Sequence, residues 1–284
     1  MTKKIKKIGL GLILLTVGLS SCVNLKHVND FSSSSLKSIK KYEEINYSFK
    51  QNCLDNCQDK KINDLSLSAK DCDCRLNEKA DSVTLLIYNS VRGYLDGLTN
   101  LSNNELTSYK MDALTKVLTE GDFGSIKIEK EQVEAYSKIS KILLKAFTDE
   151  YRKRKIKEYV LSANEPIKVL ITFLDFNLSS NLIGNFRVQK NSIEEYSFEL
   201  LKDSTLSKIE KRKVIEDYYS RINKIEEKEK ELVTYSKALK KIAEGHQKLV
   251  DNIETLSKDE IKELLTQYAS DIQDIISEFN KLKK

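Results

Sequence analysis

The chain has 284 residues, which is enough for one large domain or two small ones with a sizeable core. It contains nine glycines, a single proline and no tryptophan, and because a sheet protein needs many turn residues, this composition favours long helices. The formal charge is +5, but four of the 48 basic residues lie among the first seven residues and the others nearly balance the 43 acidic residues, which argues against nucleic acid as a partner.

The start of the chain, from Met1 to Cys22, has the three-part layout of a secretory signal. Four lysines open the chain, residues 8–18 form an apolar run without charge, and Leu19-Ser20-Ser21-Cys22 follows. An apolar run of about 11 residues is too short to cross a bilayer of roughly 30 Å as a permanent helix. We therefore expect residues 1–21 to be a cleaved signal peptide and not a transmembrane anchor.

The stretch Leu19-Ser20-Ser21-Cys22 resembles the lipobox of bacterial lipoproteins. The resemblance implies that Cys22 receives a diacylglyceryl group, becomes the mature N-terminus and holds the protein to membrane lipid. It also implies a place in the cell envelope, with sorting to the outer membrane of a Gram-negative source because Val23 and not Asp follows Cys22. The resemblance covers only the leader.

Residues 22–45 are predicted to be the lipidated cysteine and a flexible tether. From Val23 to about Tyr42 the sequence is polar, contains the run Ser32-Ser33-Ser34-Ser35 and has no sustained apolar period. Roughly 20 flexible residues span on the order of 25 Å. Such a tether would keep the helical domain of residues 46–284 close to the membrane.

Four further cysteines form an even set just inside this domain. Cys53 and Cys57 are four residues apart and share one helix face, so both can point at Cys72 and Cys74. We expect the disulfides Cys53–Cys74 and Cys57–Cys72, because an exported protein meets an oxidising compartment. A zinc site is the alternative, but one cysteine pair lacks the Cys-x2-4-Cys spacing of structural zinc. No metal or cofactor site is predicted.

Helical periodicity continues after the cysteines. One helix is predicted from about Ala80 to Gly97, a second from about Asn103 to Thr119, and a third, long segment from about Glu129 to Ala163. Pro166 is predicted to end this part of the chain, because proline cannot continue the helical hydrogen-bond ladder and disfavours helix at the residue before it.

Residues 167–186 are the most apolar part of the chain after the leader. Leucines recur on one helix face and phenylalanines widen it, which predicts a helix at the centre of a bundle. The alternative is membrane insertion, as in helical pore-forming proteins. Lys168, Asp175 and Asn177 argue against insertion, because the stretch is long enough to span a bilayer but far from wholly apolar.

The C-terminal part of the chain has the clearest pattern, with apolar positions in alternating steps of three and four from Ile215 to Ile253. Such a seam is typical of helices that supercoil about each other. Ser257 to Glu260 resembles a capping box that opens a last helix, and the short link before it forces the two helices antiparallel. The predicted fold is therefore all-α: an elongated helical bundle with a disulfide-pinned N-terminal edge and a long antiparallel coiled-coil hairpin at residues 206–284.

Residues suited to catalysis are few. His27 lies in the predicted tether, and His246 lies on the apolar seam, where a packing role is expected in preference to that of a base or a metal ligand. Glu229 on the same seam is expected to pair with a lysine of the facing helix or to soften the packing there as a specificity device. The sequence has no phosphate loop, nucleophile elbow or His-Glu-x-x-His motif, so no catalytic residue is predicted.

We therefore expect a non-catalytic lipoprotein of the cell envelope. Cys22 would anchor it, and its helical surfaces would bind a protein partner or a second copy of the chain. A membrane-active protein that inserts residues 167–186 is the first alternative. An envelope hydrolase that uses carboxylates alone is the second.

Overall fold

A computed structural model describes residues 25–45, 47–68, 72–103, 123, 124, 126–147 and 155–283. Over these residues the chain is all-α, which confirms the predicted fold class. The helices, in chain order, are α1 (Lys26–Ile39), α2 (Phe49–Asn63), α3 (Arg75–Ser102), α4 (Lys130–Phe147), α5 (Ile156–Asp175), α6 (Ile183–Lys202), α7 (Lys208–Asp251) and α8 (Asp259–Leu282). A 3₁₀ turn at Lys40–Glu44 follows α1, and a π-helical segment at Phe176–Leu182 joins α5 to α6. The signal sequence with Cys22 and most of the helix predicted at 103–119 lie outside the described residues.

Two long antiparallel helical runs form the axis of the molecule. The first is the unbroken run of α5, the π-helical segment and α6, and the second is α7, whose 44 residues extend about 66 Å at 1.5 Å per residue. Contacts along their length fix the antiparallel direction: Lys240 with Asp175 (3.7 Å), Lys190 with Glu229 (2.6 Å), and Lys211 Nζ with the Leu201 carbonyl (2.8 Å). The pairing expected for Glu229 with a lysine of the facing helix is thereby confirmed.

Two residues predicted as helix ends lie inside helices. Gly97 lies within α3, which continues to Ser102, and its missing side chain leaves room for the Tyr159 hydroxyl. Pro166 lies within α5 and is buried, and Val160 and Ile167 on either side of it are also in the core. A proline inside a helix costs about 3 kcal/mol. Burial of several aliphatic side chains, at roughly 1.5–3 kcal/mol each, outweighs that cost.

The single segment predicted from Glu129 to Ala163 is also wrong, because the chain forms two helices there. Helix α4 ends at Phe147 and α5 begins at Ile156. The two pack against each other with Gln132, near the start of α4, close to Thr172, near the end of α5. Apolar periodicity on both sides of a break does not by itself reveal the break, which explains the error.

The predicted tether is a helix that completes the core, so this prediction is wrong for residues 26–39. Val28, Phe31 and Ile39 of α1 are fully buried, and Asn29 Nδ2 donates to the Thr99 carbonyl at 3.0 Å. The Phe31 ring lies where a side chain at position 245 would be, so Gly245 is needed for this close approach of α1 to α7. Serines of α1 are buried as well, and their small side chains hid the inward face from the apolar pattern: Ser32, Ser34, Ser35 and Ser38.

Both predicted disulfides are confirmed and join α2 to the start of α3. The Cα atoms are 5.8 Å apart in Cys53–Cys74 and 6.1 Å apart in Cys57–Cys72. The Asp81 carboxylate accepts hydrogen bonds from the Phe49 and Lys50 N–H groups at 2.8 and 3.0 Å, which caps the start of α2. Together these links hold α2 antiparallel to α3 at the N-terminal edge of the bundle.

Helices α7 and α8 are antiparallel, as predicted. Lys237 pairs with Glu278 at 3.0 Å and Lys241 with Asp271 at 3.3 Å; supercoiling of the two helices stays a prediction. The capping box predicted at Ser257 is wrong, because Lys258 occupies the N-cap of α8 without a side-chain cap. A capping box is present instead at the start of α7, between Ser207 and Glu210.

Candidate interaction surface

Both histidines are packed inside the protein. His246 is buried, and its Nε2 lies 2.7 Å from the Tyr94 hydroxyl, while the Tyr94 ring stacks on Tyr159 with centroids 5.0 Å apart. Burial lowers the pKa of His246 to about 4. A buried neutral imidazole that is hydrogen-bonded to a tyrosine agrees with the packing role expected for this residue.

His27 lies in the core and not in a tether. It is buried near the start of α1, and its Nε2 has no hydrogen-bond partner among the described residues. Burial, together with the positive charge of Lys262, lowers the pKa of His27. Within the described parts of the chain, no three His, Cys, Asp or Glu side chains converge where a metal ion could bind.

A groove of about 420 Å³ lies between α4 and α5. Its lining includes two glutamates, Glu131 and Glu165, with Lys168, Phe173 and Phe176. Both glutamates are exposed, so the groove does not enclose either carboxyl group among apolar side chains.

The segment 167–186 lies at the centre of the bundle, as predicted. Leu170, Leu174, Leu178 and Leu182 are all buried in the core. The described helices include none with the length and apolarity that a membrane span requires.

One end of the long helical pair projects beyond the core. The stretch from Phe198 to Lys224, which we call the arm, comprises the end of α6, the link 203–207 and the first turns of α7. All of its residues are described, and none is buried. The arm nevertheless carries large apolar side chains with high exposure, at 58% for Phe198 and 59% for Tyr219. A surface of this kind is typical of a protein interaction site.

Helix α2 covers one side of the long pair where the arm begins. The Asp59 carboxylate pairs with Arg221 of α7 at 2.6 Å and accepts a hydrogen bond from Gln189 of α6 at 2.8 Å. Arg221 and Gln189 therefore mark the side that faces α2. Successive residues of a helix are about 100° apart, so the directions of the other side chains of α6 and α7 follow from those of Gln189 and Arg221.

The most exposed aromatic residues lie on the side away from α2. Phe198 follows Gln189 by nine residues and so points about 180° away from it, while Tyr219 precedes Arg221 by two residues and points about 160° away. Ile215 shares the direction of Tyr219 and is also exposed. We call this side of the arm, formed by Phe198, Leu201, Ile215, Tyr219 and Ile222, the open face.

The arm and the start of α1 lie at opposite ends of α7. Asn29 hydrogen-bonds Thr99 near the end of α3, and Tyr94 of α3 contacts His246 near the end of α7. The arm contains the beginning of α7. The distance along α7 from Lys208 to His246 is about 57 Å at 1.5 Å per residue.

The open face was not identified from the sequence. Ile215 lies on the predicted seam, whose periodicity does not show whether another helix covers it, and Phe198 lies outside the seam. A recognisable signal was present in Tyr219, a large aromatic residue that departs from the seam.

No protein-family model, curated protein or solved structure matches this chain.

Proposed function

We propose that this chain is a non-catalytic, lipid-anchored lipoprotein of the bacterial cell envelope that presents the open face of its arm to a protein partner. The observation that carries the proposal is the arm itself, a long stretch without a buried side chain that displays Phe198 and Tyr219 to solvent. Exposed aromatic side chains of this kind are the usual anchors of protein interfaces.

The anchoring part of this proposal rests on the lipobox resemblance, and the start of α1 lies at the end of α7 opposite the arm. Leu25 is the first described residue and lies only three residues after Cys22, the position at which the lipobox resemblance implies acylation. Two acyl chains there would give durable membrane binding, where a single chain is marginal. The arm, at the other end of α7, would then project away from the membrane surface.

Membrane insertion of residues 167–186 is less consistent with the packing. Four leucines of this segment are buried in the core, and exposing them would cost roughly 6–12 kcal/mol before any gain from lipid. Protein stability is usually about 5–15 kcal/mol, so insertion would require most of the fold to open. The exposed glutamates of the α4–α5 groove likewise give little support to a hydrolase.

The anchoring part of the proposal is tested by metabolic labelling with a radioactive fatty acid, followed by cell fractionation. We expect the wild-type chain to carry label and to sediment with the outer membrane, and the Cys22→Ala variant to be unlabelled. An unlabelled wild-type chain in the cytosol would contradict the proposal. Leakage of a dye from liposomes on addition of the protein would favour the membrane-active alternative.

A further inference from the structure

The open face is a shallow apolar groove between two antiparallel helices. Leu201 of α6 and Ile222 of α7 are half-buried and form its floor, while the exposed side chains of Phe198, Ile215 and Tyr219 rise beside them. The first turns of α7, from Lys208 to Lys224, extend about 25 Å. A groove of these dimensions matches the apolar stripe of one amphipathic helix of about 18 residues.

The end of the arm is strongly basic. Residues 202–213 contain five basic residues and two acidic ones. Both acids are already engaged within the arm: Asp203 accepts hydrogen bonds from the Thr205 N–H and hydroxyl groups at 2.8 and 2.7 Å, and Glu210 accepts one from the Ser207 N–H at 2.7 Å.

The basic side chains lie along the edges of the open face. Lys202 Nζ is 4.3 Å from the centre of the Phe198 ring. Lys208 is about 20° round α7 from Ile215 and lies at the end of the apolar groove, while Arg212 is about 60° round and lies at its edge. Their positive charge is further reinforced by the N-terminal end of the α7 dipole.

We propose that the open face binds a single amphipathic helix of a partner protein whose apolar stripe is flanked by acidic residues. This inference rests on the proposed function and specifies the chemistry of the partner. The partner helix would complete a three-helix arrangement with α6 and α7 on the side that α2 leaves uncovered. Its carboxylates would meet Lys202, Lys208 and Arg212. Arg212 also pairs with Glu216 of its own helix at 2.7 Å, an exposed contact that leaves other guanidinium N–H groups for a partner.

Two other occupants fit the observations less well. A second copy of the chain paired side by side in the same direction would bring one basic arm end against another, and like charges opposed across an interface are unfavourable. An anionic membrane would attract lysines, but the arm lies at the end of α7 farthest from the start of α1, near which the anchor at Cys22 is proposed. The charge of the groove and its place in the fold therefore favour an acidic protein helix.

The proposal is tested with two synthetic peptides of equal length that share one leucine stripe long enough to fill the groove. One peptide carries glutamate and the other lysine at every flanking position. Fluorescence anisotropy measures their binding to the full chain in nanodiscs of neutral lipid. Because opposite charge favours one peptide and like charge disfavours the other, we expect the glutamate peptide to bind at least about tenfold more tightly at low salt.

A pair of double variants separates binding at the open face from non-specific binding to exposed apolar side chains. Phe198→Ser/Tyr219→Ser removes two exposed side chains of the open face, and Val188→Ser/Ile209→Ser removes two of equal or greater exposure elsewhere on α6 and α7. We expect the first variant to weaken binding of the glutamate peptide about tenfold or more and the second to change it less than about twofold. Circular dichroism checks that both variants remain folded.

Equal binding of the two peptides, or unchanged binding by Phe198→Ser/Tyr219→Ser, would overturn the proposal. The proposal would also be overturned if the wild-type chain formed dimers that Phe198→Ser/Tyr219→Ser alone abolished. It would be overturned as well if the Cys22→Ala chain bound anionic vesicles as tightly as it binds the glutamate peptide. A failure of the peptide preference in a chain that is lipidated would overturn only the partner chemistry. Absence of lipid on Cys22 would overturn the anchor and leave the peptide result standing.

Discussion

Asp59 of α2 and Arg221 of α7 form an ion pair at 2.6 Å where the arm leaves the bundle, and both side chains are only 19% exposed. The same carboxylate accepts a hydrogen bond from Gln189 of α6, so one aspartate joins three helices. The pair fixes the direction in which the arm projects. It also keeps α2 on one side of the long helices, which leaves the open face uncovered.

Substitution of Asp59 is expected to loosen the arm without unfolding the core. Asp59→Ala leaves Arg221 half-enclosed without its main partner, and we expect a loss of about 1–2 kcal/mol, between the cost of breaking an exposed pair and that of a fully buried one. Urea unfolding measures the loss, and hydrogen exchange should quicken in residues 198–224.

Glu78→Ala is the matched control. Glu78 of α3 forms an ion pair with Lys50 of α2, but both side chains are well exposed. We expect this change to cost less than about 1 kcal/mol. Equal losses in the two variants would show that the Asp59 contact does not brace the arm.

The burial of His246 predicts a loss of stability in acid. Its pKa is about 4 in the folded protein and about 6.5 when unfolded, so the unfolded chain binds the extra proton first as the pH falls. Above pH 6.5 the titration of His246 does not reduce the free energy of unfolding, and by pH 4 it lowers that free energy by about 3 kcal/mol. Urea midpoints measured from pH 7 to pH 4 test this.

His246→Gln provides the comparison, because an amide can still bond Tyr94 but does not titrate. The difference in stability between wild type and His246→Gln should shrink steadily below pH 6.5, whereas loss through carboxylates would affect both proteins alike. His27, whose pKa is also lowered by burial, acts in the same direction. A pH-independent difference between the two proteins would contradict the burial of a neutral His246.

Gly245 is predicted to be required for the docking of α1. Gly245→Ala places a methyl group against the Phe31 ring, and overpacking of a tight core usually costs about 1–3 kcal/mol, which exceeds the gain in helix propensity of about 1 kcal/mol. Gly184→Ala is the control, because nothing lies within 4 Å of a side chain at that position in α6. It should stabilise the protein by about 0.5–1 kcal/mol. Thermal unfolding that ranks the two variants in the opposite order would contradict the packing of α1 on α7.

Leu65 is predicted to be replaceable with a gain in stability. It has a φ of 50° in the link between α2 and the second disulfide, and its side chain is 86% exposed. Asparagine tolerates this left-handed backbone better than leucine does, so Leu65→Asn should add about 0.5–1 kcal/mol. Leu67→Asn, at a fully exposed position without positive φ, should leave the stability unchanged. Thermal unfolding of the two variants tests the difference.

The parts of the fold that were predictable share one property. In each of them the spacing of residues along the sequence also determines the local structure. Cys53 and Cys57 had to share a helix face, and the seam from Ile215 to Ile253 had to belong to one long helix. The antiparallel return of α8 followed from the short link before it. In each case the neighbours along the chain determined the outcome.

The errors arose where distant contacts decide the local structure. Pro166 remains inside a helix because the residues on both sides of it are held in the core, and α1 is ordered because α3, α7 and α8 receive its serine-rich face. The open face could not be predicted for the same reason. Periodicity shows that Ile215 and Tyr219 belong to a helix, but only the position of α2 shows that nothing in the described chain covers them.

Site-specific photo-crosslinking in living cells tests the central claim most directly. A photoreactive amino acid replaces Tyr219 on the open face in one full-length variant and Ile209, elsewhere on the arm, in another. We predict an adduct with a protein other than this chain from position 219, a much weaker one from position 209, and loss of the first when Phe198→Ser is added. Equal adducts at the two positions, or none at position 219 in a chain that is lipidated and folded, would contradict the account.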